Sequence, residues 1–202
     1  MKNVIKNTFV LTAITLVAGI LLGLVYEITK ESIALAKEAA KKEAYQQVMA
    51  DADEFDGLEL IEEALKQVED TVESSGCTIN EVVEAKANGE TVGYVVTTTS
   101  SEGYGGEIQI SVGILTDGTV NGVAILTIVE TVGLGMKATE EKFYGQYAGK
   151  NVEFFNVTKT GASSDDEIDA LSGATITSNA MTKAVNSAVI YYKHTLGGSA
   201  NE

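Results

Sequence analysis

The chain has 202 residues, of which 45% are hydrophobic, and its formal net charge is −15. The apolar content is sufficient for a folded core and argues against wholesale disorder. The negative charge argues against nucleic-acid binding, which depends on basic side chains that neutralise phosphates, and the single cysteine, Cys77, excludes a disulfide within the chain.

The first element in the chain is an apolar segment, Asn7–Tyr26, which contains 20 consecutive uncharged residues. As a helix rising about 1.5 Å per residue it would be about 30 Å long, the thickness of the hydrocarbon core of a bilayer. A cleaved signal peptide is the main alternative, but the apolar run is long and no small-residue cleavage site follows Tyr26. The pattern therefore predicts an uncleaved transmembrane helix over residues 7–26.

The orientation of this helix is predicted less directly. Lysines lie on both sides of it, so the lysine count does not decide which end faces the cytoplasm. A long domain translocates largely regardless of its charge. We therefore expect residues 1–6 in the cytoplasm of a bacterial or archaeal cell and residues 51–196 outside it, ending in a polar tail, 197–202.

Helix-forming residues continue after the membrane segment and predict a helical stalk over residues 27–50. The acidic stretch 51–57 is interpreted as a solvated turn. Apolar residues then recur at helical spacing from Leu58 to Val72, which predicts a helix.

The apolar period then changes to that of strands. Four strands are predicted, joined in pairs by turns at Asn88–Glu90 and Asp117–Gly118. Their ranges are Thr78–Ala87, Thr91–Thr99, Glu107–Leu115 and Val120–Val129. A short helix over Ala138–Tyr147, a strand over Val152–Val157 and a closing helix over Asn179–His194 follow. The fold class is α+β: an N-terminal transmembrane helix and then a largely antiparallel sheet packed with helices.

Three glycine-bearing clusters interrupt these elements: Gly103–Gly106, Glu130–Gly135 and Asp169–Thr175. Each alone is typical of a turn. None matches a P-loop or a dinucleotide-binding fingerprint. The third cluster stands just before a helix, where free backbone amides favour an anion such as a phosphate.

Together, in this order behind one N-terminal anchor, the clusters resemble the FMN-binding subunits of the Rnf and Na⁺-translocating NADH:quinone oxidoreductase complexes. The resemblance runs from the anchor to about Ala188. In that family, an Asp followed by a Ser/Thr-Gly-Ala-Thr run is the recognition motif of a flavin transferase, and the final threonine receives FMN through a phosphoester bond. The resemblance implies covalent FMN on Thr175, with the motif completed by Asp169, Ser172, Gly173 and Ala174.

The local chemistry is compatible with that role. A phosphodiester on Thr175 would lie at the start of the closing helix, beside the amides of Ile176 and Thr177. All 14 basic residues are lysines, so no arginine is available to clamp a phosphate, and a covalent bond removes that need. We expect a larger residue in place of Gly173 to block the access of the transferase, of the flavin or of both.

The second cluster reads Glu-Thr-Pro-Gly-Leu-Gly in the family and lies beside the flavin ring. Here Val132 replaces the proline. The resemblance implies flavin contacts from five residues of this cluster: Glu130, Thr131, Gly133, Leu134 and Gly135. Tyr104 in the first cluster is a candidate for stacking on the ring, although it could equally cover the sheet.

The chain shows no acid–base pair, catalytic triad or set of metal ligands. It therefore looks like an electron carrier. The resemblance implies that it works within a complex that couples electron transfer between ferredoxin and NAD to Na⁺ or H⁺ translocation. The implied partners are other membrane subunits, one with a second covalent flavin and two that hold an iron–sulfur centre, and the flavin transferase. The alternatives are the corresponding FMN-binding component of the quinone-reducing complex, a stand-alone anchored flavoprotein, and a non-redox surface-binding domain.

Overall fold

The computed structural model describes residues 2–71 and 76–197. The chain forms two compact units, Met1–Lys41 and Lys42–Glu202. Helix α1, Lys2–Val48, contains the predicted membrane segment and most of the predicted stalk without interruption. By length and composition it is able to cross a membrane: its most apolar window has a mean hydropathy of 2.5 and is fully exposed. The boundaries of the bilayer segment stay a prediction.

The second unit is built on one five-stranded antiparallel sheet with the strand order β1-β2-β3-β4-β5. The four predicted strands are confirmed, with ends shifted by at most one residue. The strands are β1 Glu54–Leu58, β2 Cys77–Ala87, β3 Glu90–Ser100, β4 Ile108–Leu115 and β5 Val120–Ile128. Each strand follows its neighbour in sequence, so short loops make every connection except that between β1 and β2.

Two helices cover one face of this sheet: α2, Glu62–Thr71, and α4, Thr175–Thr195. Strand β4 shows why they pack there, because Ile108, Ile110, Val112 and Ile114 alternate onto this face and are fully buried. Helix α4 contributes mainly alanine and valine, which allow it to lie close to the strands.

The opposite face of the sheet packs against the last turns of α1. Ala44, Tyr45, Val48 and Met49 are buried there against Val83, Val95 and Ala124. Gly113 makes this approach possible, because a Cβ at that position would lie 2.6 Å from the Val48 carbonyl oxygen. The Asn121 side chain donates a hydrogen bond of 2.6 Å to the same oxygen.

The acidic segment 51–57 is not the solvated turn that its composition predicts. Residues from Glu54 onward form β1, which pairs with β2. The partner strand supplies the backbone hydrogen bonds, and Phe55 packs on Tyr45 with ring centroids 5.7 Å apart. The predicted helix over Leu58–Val72 is consequently shorter, since Leu58 ends β1; Val72 lies outside the described residues.

The segment between β5 and α4 is less regular than predicted. The predicted helix over 138–147 consists of two 3₁₀ turns that flank α3, Glu141–Tyr144. The predicted strand over 152–157 is reduced to β6, Asn156–Thr158, which pairs in parallel with β7, Glu167–Asp169. The closing helix begins at Thr175, four residues earlier than predicted, and the tail beyond Gly197 lies outside the described residues.

Candidate functional site

A cleft of about 570 Å³ lies where the three glycine clusters meet. Its volume is within the range of small-molecule sites. The sheet register brings two of the clusters together, because Ser100, Ile108 and Ile128 are aligned across β3, β4 and β5. The loop after β3 and the loop after β5 therefore leave the sheet at the same end of the strands. The cleft is lined by Tyr104, Glu130, Thr131, Leu134, Gly135, Gly173, Ala174, Thr175, Ile176 and Thr177.

Thr175 is the first residue of α4 and lines the cleft with a half-buried side chain. The first helical hydrogen bond is donated by the Ser178 amide to the Ala174 carbonyl, 3.0 Å. The amides of Thr175, Ile176 and Thr177 precede it, and no side chain of the described residues caps this end of the helix. They are the free donors that an anion requires.

The hydroxyl groups of this helix start differ in their hydrogen bonding. Thr177 Oγ1 donates to Glu130 at 3.0 Å, and Ser178 Oγ donates to the Ala174 carbonyl at 3.0 Å. Ser178 Oγ also accepts from the Leu171 amide at 2.9 Å. Within the described part of the chain, the Thr175 hydroxyl has no hydrogen-bond partner. It is therefore available for chemistry, whereas its neighbours hold the loop in place.

Gly173 shapes the turn that presents Thr175. Its φ is +77°, in the left-handed region that favours glycine, and the Ala174 amide closes the turn on the Leu171 carbonyl at 3.0 Å. A Cβ at Gly173 would lie 3.1 Å from Leu134 Cδ2. The second and third clusters thus contact each other directly at this glycine.

Glu130 is the only charged side chain among the described residues that line the cleft. Its Oε1 accepts a hydrogen bond from the Tyr104 amide at 2.8 Å and another from Thr177 Oγ1 at 3.0 Å. Glu130 belongs to the second cluster, and its carboxylate contacts both the first cluster and the start of α4. The phosphate of a ligand in this cleft would have no lysine among these lining residues to hold it.

Val132 does not line the cleft and is 87% exposed. The loop around it is held by backbone hydrogen bonds from the Leu134 and Met136 amides to the Thr131 carbonyl, 3.1 and 3.2 Å long. The position where the family has proline is therefore not part of the lining of the cleft. Gly133, with φ +80°, makes this turn and does not line the cleft.

Two residues of the predicted attachment motif line a neighbouring groove instead. Asp169 and Ser172 line that groove together with Lys137, Lys142 and Lys159. The Asp169 carboxylate accepts a hydrogen bond of 2.6 Å from the Ala162 amide. The leading acid of the motif thus holds the loop between β6 and β7.

Sequence reasoning missed one contact that fixes this end of the molecule. Lys183 on α4 forms an ion pair of 2.6 Å with Glu102 in the loop after β3. Neither residue belongs to a motif, so no sequence signal marks the pair. Among the described residues, no group of His, Cys, Asp or Glu side chains is arranged to hold a metal ion.

Comparisons with known proteins identify the class first. Residues 103–190, which include all three clusters, match the family model of the FMN-binding domain. Residues 1–48, which correspond to α1, match the RnfG N-terminal region. The segment that matches the FMN-binding domain thus contains strands β4 and β5, helix α4 and the residues that line the cleft, and it follows an N-terminal apolar helix.

Full-length relatives identify the family. The chain is 34% identical to the G component of the Na(+)-translocating ferredoxin:NAD(+) oxidoreductase complex of Acetobacterium woodii, over 96% of this chain and 93% of that protein. It is 33% identical to the G component of the ion-translocating oxidoreductase complex of Methanosarcina acetivorans, over 94% and 95%. The chain is also similar to the crystal structure of Shewanella oneidensis NqrC. That match covers 56% of this chain and 57% of the NqrC chain, at 22% identity and a TM-score of 0.48. The chain belongs to the RnfG family, the G components of ion-translocating oxidoreductase complexes.

Proposed function

We propose that this chain is a membrane-anchored electron carrier whose FMN is linked through its phosphate to Thr175 Oγ1. The observation that carries the proposal is the hydroxyl of Thr175, which lacks a partner among the described residues and lines the cleft of a matched FMN-binding domain. The bound FMN would supply the electron-transfer chemistry, and the protein would supply position and surroundings.

The chain's own groups account for how a phosphate would be held. The free amides at the start of α4 lie at the cleft end of the helix, where the helix dipole favours negative charge. None of the described lining residues is a lysine, and Glu130 adds a negative charge to the cleft. Non-covalent retention of an anionic cofactor would therefore be weak, which favours a covalent bond at Thr175.

The bond would form by attack of Thr175 Oγ1 on the phosphorus of an activated flavin nucleotide. The hydroxyl proton would pass to a base of the transferase, the Oγ1–P bond would form, and the phosphoanhydride bond would break, with its electron pair going to the departing nucleoside phosphate. A separate flavin transferase would perform this step, since the one carboxylate among the described lining residues, that of Glu130, is hydrogen-bonded to Tyr104 and Thr177 and not to the Thr175 hydroxyl. Gly173 and Ala174 leave the approach to the hydroxyl open.

We further propose that the chain works within a membrane assembly. Its relatives are named as subunits of Na⁺-translocating and proton-translocating ferredoxin:NAD⁺ oxidoreductase complexes. Its partners would be the other membrane subunits, including one with a second covalent flavin and two that hold an iron–sulfur centre. Residues 7–26 would span the bilayer and the FMN-binding domain would lie outside the cytoplasm.

The attachment site is tested on a denaturing gel. The full-length chain is co-expressed with a flavin transferase, and the band is examined for flavin fluorescence under ultraviolet light. We expect the wild-type band and the Thr175→Ser band to fluoresce and the Thr175→Ala band to stay dark. Thr160→Ala is the matched control, because it removes an exposed threonine hydroxyl outside the cleft and keeps Thr175.

Each outcome separates the alternatives. A dark wild-type band under these conditions would overturn the covalent flavin and favour a non-redox surface-binding domain. If the Thr175→Ala band fluoresces as strongly as the wild-type band, the flavin is attached to a residue other than Thr175. Co-purification with membrane redox subunits distinguishes a component of the complex from a stand-alone anchored flavoprotein.

A further inference from the structure

Glycines from two of the three clusters surround one carboxylate. A Cβ at Gly135 would lie 2.7 Å from Glu130 Oε2 and 2.7 Å from Thr177 Oγ1. A Cβ at Gly103 would lie 3.3 Å from Glu130 Oε1 and would also collide with the Gly106 carbonyl. These glycines therefore make room for contacts within the protein, and at their centre is the Glu130 side chain.

The hydrogen bonds of Glu130 connect three separate segments. Oε1 accepts from the Tyr104 amide in the first cluster and from Thr177 Oγ1 on α4, while the glutamate itself begins the second cluster. Thr177 is 1% exposed, so its hydroxyl has little access to water as a replacement partner. Loss of this acceptor would leave a buried hydroxyl unsatisfied and free the Tyr104 amide.

The three segments that Glu130 connects are also three walls of the cleft. Tyr104, Leu134 and Thr175 each belong to a different wall. Strand register fixes the spacing of these segments at the end of the sheet. The loops themselves extend beyond the last paired residues, Ser100 and Ile128. A connection within the loops is therefore needed to set the width of the cleft.

We propose that Glu130 is a positioning residue, whose carboxylate sets the width of the cleft by binding Tyr104 N–H and Thr177 Oγ1. It acts on the cofactor through these two residues. The inference rests on the proposed FMN site for its spectroscopic consequence, but the hydrogen bonds themselves are testable without flavin.

The first test uses the full chain before flavin is attached. Amide exchange of Tyr104 is measured by NMR in the wild type, Glu130→Ala and Glu130→Gln. We expect exchange to be at least about tenfold faster in Glu130→Ala and close to wild type in Glu130→Gln, whose carbonyl oxygen still accepts both hydrogen bonds. Glu107→Ala is the matched control, because Glu107 is exposed at the end of the same loop.

The second test measures the visible circular dichroism of the attached flavin, which reports how rigidly the ring is held. We expect the signal to fall by half or more in Glu130→Ala and to persist in Glu130→Gln. Gly135→Ala should resemble Glu130→Ala, since its methyl group would displace both the carboxylate and Thr177. Gly57→Ala is its control, because a Cβ there meets no atom within 4 Å.

The outcomes are distinguishable. A wild-type chain that never acquires flavin would overturn the proposed function and leave the exchange experiment to judge Glu130. The positioning role would be overturned if Glu130→Ala kept the wild-type exchange rate of the Tyr104 amide and the wild-type flavin dichroism. It would also be overturned if Glu130→Gln showed faster exchange and a weaker dichroism signal. If Glu130→Ala does not fold, Thr177→Val replaces it: an unchanged dichroism there contradicts the inference, and a partial loss supports it.

Discussion

At the scale of single residues, Gly173 is a constrained position of the proposed attachment loop, with its positive φ and its close approach to Leu134. An alanine there would have to adopt φ near +77°, which costs about 1 kcal/mol or more, and would press on Leu134. We expect Gly173→Ala to lower the free energy of unfolding by about 1–2 kcal/mol and to reduce flavin attachment. Urea unfolding and gel fluorescence measure the two effects.

The control for Gly173→Ala is Gly57→Ala, which adds the same methyl group in open space. It should leave flavin attachment at the wild-type level. If Gly173→Ala also attaches flavin as the wild type does, the turn would tolerate the strain, and the role assigned to this glycine would be wrong.

Asn186 is the second residue with a large expected effect. Its side chain is buried and satisfies both backbone groups of Phe155: Nδ2 donates to the carbonyl at 2.9 Å, and Oδ1 accepts from the amide at 2.8 Å. Asn186→Ala leaves both groups unsatisfied and should destabilise the domain by about 2–4 kcal/mol in urea unfolding. Asn179→Ala, an exposed position on the same helix, should change stability by less than about 1 kcal/mol.

At the scale of elements, the hairpin between β2 and β3 was predictable because local chemistry and tertiary structure agree. Asn88 and Gly89 have φ values of 54° and 82°, as a tight hairpin turn requires. Strand β1 was not predictable, because its acidic sequence carries no strand pattern and only pairing with β2 makes it a strand. The start of α4 was also missed, since threonine and serine have modest helix propensity and only the folded loop places them in its first turn.

The same hairpin carries a pH-dependent contribution. Thr91 Oγ1 donates a hydrogen bond of 2.5 Å to Glu84, and this bond, partly opposed by desolvation, lowers the pKa of Glu84 below its ordinary value. A lowered folded-state pKa stabilises the fold above the unfolded-state pKa, and the contribution disappears as the pH falls through the folded-state value. Stability from this pair is therefore present at neutral pH and lost on acidification.

Thr91→Val tests this linkage by removing the donor while keeping the shape of the side chain. At pH 7 we expect the variant to be about 1 kcal/mol less stable, a small value because the pair is partly exposed. The difference between wild type and variant should shrink as the pH falls below about 4, the ordinary range of a glutamate, in thermal unfolding measured from about pH 7 to about pH 3. A difference that stays constant over this range would contradict the assigned cause of the pKa shift.

At the scale of the whole molecule, the candidate site could be predicted only in outline. The resemblance named the three segments, and the fold brings ten of the thirteen candidate residues to one cleft. Asp169 and Ser172 face the neighbouring groove because Asp169 is engaged by the Ala162 amide, a contact that no motif encodes. The hydrogen bonds of Glu130 were likewise invisible in the sequence, since they join residues 26 and 47 positions apart.

The last turns of α1 pack on the sheet, which determines where the chain can be cut. Residues from Lys42 onward form one compact unit with the sheet. A protein of residues 42–202 should therefore fold without the apolar helix. A protein of residues 53–202 lacks Ala44, Tyr45, Val48, Met49 and Ala52, all of which are buried on the sheet.

Loss of these five side chains should lower the free energy of unfolding by about 5 kcal/mol or more, at about 1–2 kcal/mol for each buried group. It would also expose Val83, Val95 and Ala124 as an apolar patch. Urea unfolding and the binding of a hydrophobic dye compare the two truncated proteins. Equal stability, with no additional dye bound by the shorter protein, would show that the sheet does not depend on α1, and the domain would then begin at β1.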